Sequence, residues 1–149
     1  MPGTKRKFAV FVTAAAVASG VFADDDPVHQ RHELMESVGK AAKPVGQMLR
    51  GEAEFDDAAL MRSLLVWKDV GGKFGALFPP GSETGEGTEA SPAIWEDRAG
   101  FEAALAKWRD AVDTAIEAEP GSLEAARPVV GPVFQACKGC HDGYRIEDD

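Results

Sequence analysis

Apolar residues in this chain recur at spacings of three and four, and over no useful length at a spacing of two. That regularity confines the fold to packed helices, because a stripe with a 3.6-residue period is buried by laying helices against one another. Four segments carry it. The first runs from about Val28 to Arg50, with Leu34, Val38, Ala41, Val45 and Met48 or Leu49 on its stripe and Gly51 as a stop. The second starts after Phe55, capped by Asp56 or Asp57, and carries Leu60, Leu64, Trp67 and Phe74. Gly71 and Gly72 weaken its last turn. The third runs from about Asp97 to Glu119 through Phe101, Leu105, Trp108, Val112 and Ile116. The fourth follows a Ser122 cap and carries Leu123, Ala126, Val130, Val133, Phe134 and Cys137. Pro44 is a place for a kink in the first segment, and Pro128 is expected to mark where regular helix begins in the fourth. The outer links are short, whereas residues 78–95, "FPPGSETGEGTEASPAIW", form a long loop rich in Gly, Pro and Ser. The expected fold is all-α, an up-down-up-down antiparallel four-helix bundle in one domain over residues 24–149, with a frayed tail at "IEDD".

The first residues bear on location. Lys5, Arg6 and Lys7 precede an uncharged run over residues 8–22, which closes on "VFA" before three aspartates. This is the pattern of a secretory signal peptide, residues 1–23, with cleavage expected after Ala23. The uncharged run is shorter than the roughly 20 residues that span a bilayer, and no later segment is apolar enough, so the mature chain is expected to be free of the membrane. The expected location is a bacterial periplasm. The formal net charge of −9 over the 149 residues becomes more negative once the three basic residues are lost. Bulk charge of that sign excludes nucleic acid and anionic lipid as partners. It suits basic docking surfaces, and it equally serves solubility alone.

Both cysteines lie in "QACKGCHDGYR", residues 135–145, three apart and followed at once by His141. A structural zinc site needs four ligands, and no second cysteine pair exists. A thioredoxin-like redox pair belongs on a βαβ fold, for which there are no strands. A plain disulfide in an exported chain accounts for Cys137 and Cys140 but leaves His141 unexplained. C-x-x-C-H is the pattern of covalent c-type haem attachment. On a helix the positions i, i+3 and i+4 share a face, so both thiols can add to the vinyl groups of one haem while His141 stands beneath the iron. Leu123, Ala126, Val130, Phe134, Cys137, His141 and Tyr144 fall roughly on one stripe, which turns the haem into the bundle core.

With those residues in view the chain resembles the class II cytochromes c, that is cytochrome c′ and its relatives of the cytochrome c-556 type. The likeness covers residues 27–145 and rests on "RHELM" (31–35), "RGEAEFDDAAL" (50–60), "LFPPGS" (77–82), "PAIW" (92–95) and "ACKGCHDGYR" (136–145). It implies a four-helix bundle, often a homodimer, with one covalent haem c. By position it implies that Cys137 and Cys140 are the thioether anchors and His141 the proximal iron ligand. It places Arg145 near that histidine, Arg31 near the haem propionates, and Met35 on the distal side. Arg145 reads equally as a surface cation at a helix C-terminus. Met35 is either the sixth iron ligand, which raises the reduction potential, or an apolar residue packed on the distal face. His29 and His32 are the weaker distal alternatives. Trp67, Trp95 and Trp108 read as core or loop anchors.

The expected function is electron transport in the periplasm to and from redox partner proteins. The rival is a five-coordinate cytochrome c′ that binds or buffers nitric oxide or carbon monoxide at an open distal face. No acid–base pair stands beside the motif, so a carrier is expected rather than a substrate-converting enzyme.

Overall fold

A computed structural model of the chain describes residues 26–146. The leader expected over residues 1–23 lies outside the described residues, as do residues 147–149. Four long helices, α1 Pro27–Arg50, α2 Asp57–Phe74, α4 Arg98–Glu117 and α5 Leu123–Tyr144, are joined by short links and by one long connection. That connection holds a 3₁₀ turn at Gly75–Leu77 and a four-residue helix, α3 Ala93–Glu96. α1 packs on α2, α2 on α4, α4 on α5, and α5 returns to α1. Among the described residues no helix is long and apolar enough to cross a membrane.

The helices begin where their caps place them. Asp26 accepts from Val28 N with Pro27 at the first helical position, Asp56 accepts from Ala59 N at 2.8 Å, and Ser122 accepts from Ala125 N at 3.2 Å. Asp97 does the same for Gly100 N, which fixes the start of α4. α1 stops at Gly51, which takes φ 76° as glycine can without a Cβ penalty. Pro128 does not mark the start of regular helix in the last segment. α1 runs unbroken through Pro44, and α5 begins at Leu123, so Pro128 and Pro132 lie inside it. Each proline removes one helical hydrogen bond. Pro128 and Pro132 face solvent, and the packing of Ala126, Val130 and Val133 on the inner face holds the helix across the gaps.

Gly71 serves packing rather than merely weakening a turn. A Cβ there would stand 3.0 Å from Arg109 Cγ and 3.3 Å from the Trp108 ring, so glycine is what lets α2 approach α4. The main core draws Val45 and Met48 from α1 and Leu60, Leu64 and Trp67 from α2. Leu105, Trp108 and Val112 come from α4, and Ala126, Val130 and Val133 from α5. A second cluster forms under the long connection around Phe78, Ile94 and Phe101, with Trp95, Cys140 and Tyr144 against it. The segment read as plain loop is therefore a packed layer, and its aromatic residues close one end of the bundle.

Candidate functional site

Where the two clusters meet, the helices and the long connection line a half-open cavity of ≈ 450 Å³, within the roughly 300–1,000 Å³ usual for small-molecule and cofactor pockets. One wall is the end of α5, which presents Phe134, Cys137, Cys140, His141 and Tyr144, with Arg145 just beyond. Both cysteines are free and half-buried. Burial, and then the charge of neighbouring Cys140, pushes the Cys137 thiol up to about 11; burial raises Cys140 as well. Both are neutral thiols at neutral pH. Burial and then the Arg145 cation lower the His141 pKa, against smaller opposing effects of Glu89 and Asp142. A neutral imidazole keeps a ring nitrogen lone pair that can ligate a metal.

The α1 wall carries Arg31, His32, Met35, Val38 and Ala42. Met35 lies half-buried, one turn beyond Arg31. Arg31 is 6% exposed, which is unusual for arginine and demands partners. Its Nη2 donates to Ser82 O at 2.8 Å, and its guanidinium lies 4.7 Å from the Phe78 ring centroid and 5.7 Å from that of Trp95. Burial lowers its pKa, while Asp26 and Glu83 favour the charged form. Nη1 is buried and has no partner among the described residues. A buried guanidinium with an unsatisfied N–H edge on a cavity wall is matched to an anionic group. The Trp108 indole N–H is likewise buried and unpaired, close enough to Cys137 to favour its thiolate slightly.

The third wall is the long connection, Gly87 to Ala90 together with Phe78 and Ile94. It is tied to the chain just past the cysteine motif. Ala90 and Arg145 form an antiparallel bridge, Ile146 N donates to Glu89 O at 2.8 Å, Ser91 N donates to Tyr144 O at 3.1 Å, and Arg145 Nε meets Glu89 Oε2 at 2.8 Å. Ile146, read as part of a frayed tail, is thus held. Arg98, at the start of α4, donates to Phe78 O at 3.1 Å and Gly75 O at 2.9 Å and lies over Phe101. Nothing in the sequence singled out Arg98 or Glu89: Arg98 bonds carbonyls of the connection, and Glu89 lies in the connection itself, where spacing carries no signal.

Cys137, Cys140, His141, Met35, Arg31, Arg145 and His32 therefore border one cavity. His29 does not; it pairs with Glu33 at 3.3 Å on the exposed face of α1 and is removed from the distal alternatives. Among the described residues no three His, Cys, Asp or Glu side chains gather as a metal-ion site, so the zinc reading finds no further ligands. Paired thiols, an imidazole, apolar walls and an orphaned arginine edge fit a flat apolar macrocycle that carries vinyl groups, a metal and carboxylates.

The family model described as Cytochrome C′ matches residues 26–145. The chain is similar to a cytochrome c′ of Rhodopseudomonas palustris, 37% identical over 144 residues covering 96% of this chain and 98% of the relative. It is similar to a solved cytochrome c′ structure from Rhodopseudomonas palustris, with a TM-score of 0.79 at 38% identity over 83% of this chain and 98% of the other. It is also similar to a nitric oxide complex of a cytochrome c′ variant from Alcaligenes xylosoxidans, with a TM-score of 0.72 at 29% identity over 83% of this chain and 96% of the other.

Proposed function

This chain belongs to the cytochrome c′ family, whose members carry one covalent haem c, and from that premise we propose that it is a periplasmic carrier of single electrons with Met35 as a sixth ligand. The observation that carries the reading is that Met35 on α1 and His141 on α5 border the same cavity. Haem, when bound, supplies an iron that alternates between ferric and ferrous states. The chain's own residues do the rest. The Cys137 and Cys140 thiols, both free on the cavity wall, would hold the haem through thioether links to its vinyl groups. His141 offers a nitrogen lone pair from the α5 side and Met35 a thioether sulfur from the α1 side, a pairing that raises the reduction potential. Val38, Phe74, Leu105 and Phe134 keep the walls apolar. The unpaired Arg31 Nη1 suits a haem propionate, and Arg145, paired with Glu89, stands beside His141.

A second reading is favoured by those apolar walls and by the nitric oxide complex of the Alcaligenes xylosoxidans relative. If Met35 only packs, the distal face is a dry site for nitric oxide or carbon monoxide. The visible spectrum separates the two. A six-coordinate low-spin spectrum that becomes high-spin in Met35→Ala supports the carrier; a wild-type spectrum already high-spin supports gas binding. An unchanged low-spin spectrum in Met35→Ala removes Met35 as a ligand and leaves His32. Attachment is tested separately. Haem should stay with the chain through acid–acetone extraction, and Cys137→Ser or Cys140→Ser should abolish stable maturation; release of all the haem from wild type sinks the assignment.

A further inference from the structure

Arg31 is held by a turn rather than by its own helix. The hydrogen bond its side chain makes among the described residues is to Ser82 O, 51 positions away, and Ser82 is itself 6% exposed. The turn that presents this carbonyl is built on one acceptor. Pro79 O receives Ser82 N at 3.2 Å, Ser82 Oγ at 2.9 Å and Trp95 Nε1 at 3.3 Å, while Gly81 takes φ 92° between them. The Trp95 ring also packs edge-on against Phe78 at 5.7 Å and lies 5.7 Å from the Arg31 guanidinium. Trp95 therefore touches the turn, the ring beneath the guanidinium and the guanidinium itself.

We propose that Trp95 is a positioning residue for the haem carboxylate site, fixing the Pro79–Ser82 turn and through it the Arg31 guanidinium, so that Nη1 meets a propionate. The inference rests on the haem reading above and adds to it how Arg31 is aimed. Asp26 and Glu83 act on Arg31 through space, yet neither bonds Nη1 among the described residues, which leaves that N–H edge on the cavity wall able to take an anionic group of a bound cofactor. A guanidinium carries its hydrogen bonds in a fixed planar fork. With Nη2 committed to Ser82 O, the direction of Nη1 is set by where the turn sits, and a turn free to shift would swing the fork off its target.

The test uses the haem-loaded protein, with the reduction potential and the propionate bending band in resonance Raman as readouts. R31Q removes a cation near the iron and favours the ferric form, so the potential should fall and the band should shift. W95F keeps an aromatic ring and drops the N–H; it should move both readouts in the same direction by less. W95L, which also loses the ring, should fall between W95F and R31Q. The double variant R31Q/W95F should match R31Q alone, because Trp95 acts through Arg31. Wild-type values in W95F and W95L, or additive shifts in the double variant, would overturn the proposal. So would R31Q with wild-type potential and band while covalent haem is retained, which leaves the haem reading intact. Absence of covalent haem from wild type sinks that reading and this one together, and mass spectrometry reports it before any variant is made.

Discussion

The two ends of the bundle are made from the same four helices and differ in what lies between them. At one end Val45, Leu60, Leu64, Val112, Ala115, Ala126 and Val130 meet with exposures of 2% or less, and the space is filled. At the other the same helices part around ≈ 450 Å³. α1 shows the change along its length: it brings Val45 and Met48 to the filled end but Gly39 and Ala42, with Met35 and Val38, to the hollow one. α5 runs the opposite way, from Ala126 and Val130 in the filled end to Cys137, Cys140 and His141 on the cavity wall. The hollow end is closed by the aromatic cluster of the long connection rather than by more helix. An apolar stripe says that a helix will pack; the volumes at successive positions decide whether the result is a solid core or a chamber.

Four changes probe that contrast. Leu64→Ala, at a side chain with no exposure, should cost ~2–5 kcal/mol by chemical denaturation, since close-packed neighbours relax little into the space. A loss below ~1 kcal/mol would mean that the filled end can relax around the missing side chain. Next is pH in the chain before haem attachment. The Cys137 pKa is raised from 9.0 to about 11 by burial and then by Cys140. A raised folded pKa means the neutral thiol is favoured in the fold. That stability is complete below pH ~9 and is lost as pH climbs towards ~11. The urea midpoint should fall across that window and fall less in Cys137→Ala; identical profiles would remove Cys137 as the cause. Met35→Ala, at a half-buried residue facing the chamber, should cost the same unloaded chain less than the ~2 kcal/mol lower bound for a packed methionine. A cost equal to that of Leu64→Ala would erase the difference between the ends. Smallest is Lys68→Ala, which breaks the exposed 2.7 Å pair with Asp113 that bridges α2 and α4. Its cost should be ~0.2–1 kcal/mol and should shrink in salt; a larger, salt-insensitive loss would move part of the filled end's stability to its surface.

Legibility followed the range of the interactions. Asp26, Asp56, Asp97 and Ser122 bond backbone groups two or three residues on, so those helix starts could be read from the order of residues. Leu60, Leu64 and Trp67 of α2 and Phe101, Leu105, Trp108 and Val112 of α4 came from spacing alone, whereas buried Val70 and Ala115 were not read. Pro128 misled because its cost is local while the packing that outweighs it is not. His29 and His32 could not be told apart by sequence, since which of them borders the cavity depends on the rotation of α1 against α5. Arg98 and Glu89 went unseen because their partners are carbonyls and a cation reached across the long connection.

By itself the sequence determined that the chain builds helices with apolar faces and that two thiols and an imidazole share just over one turn of the last helix. Backbone hydrogen bonding and the 3.6-residue period act over a few residues, so residue order suffices for them. Only the tertiary structure decided that the faces leave a half-open chamber, that Arg31 is buried with Nη1 unpaired among the described residues, and that residues 89–91 pair with 144–146 along its wall. Those outcomes depend on side-chain volumes and partners brought from distant positions, such as Ser82 to Arg31, and no local period encodes which distant groups will meet.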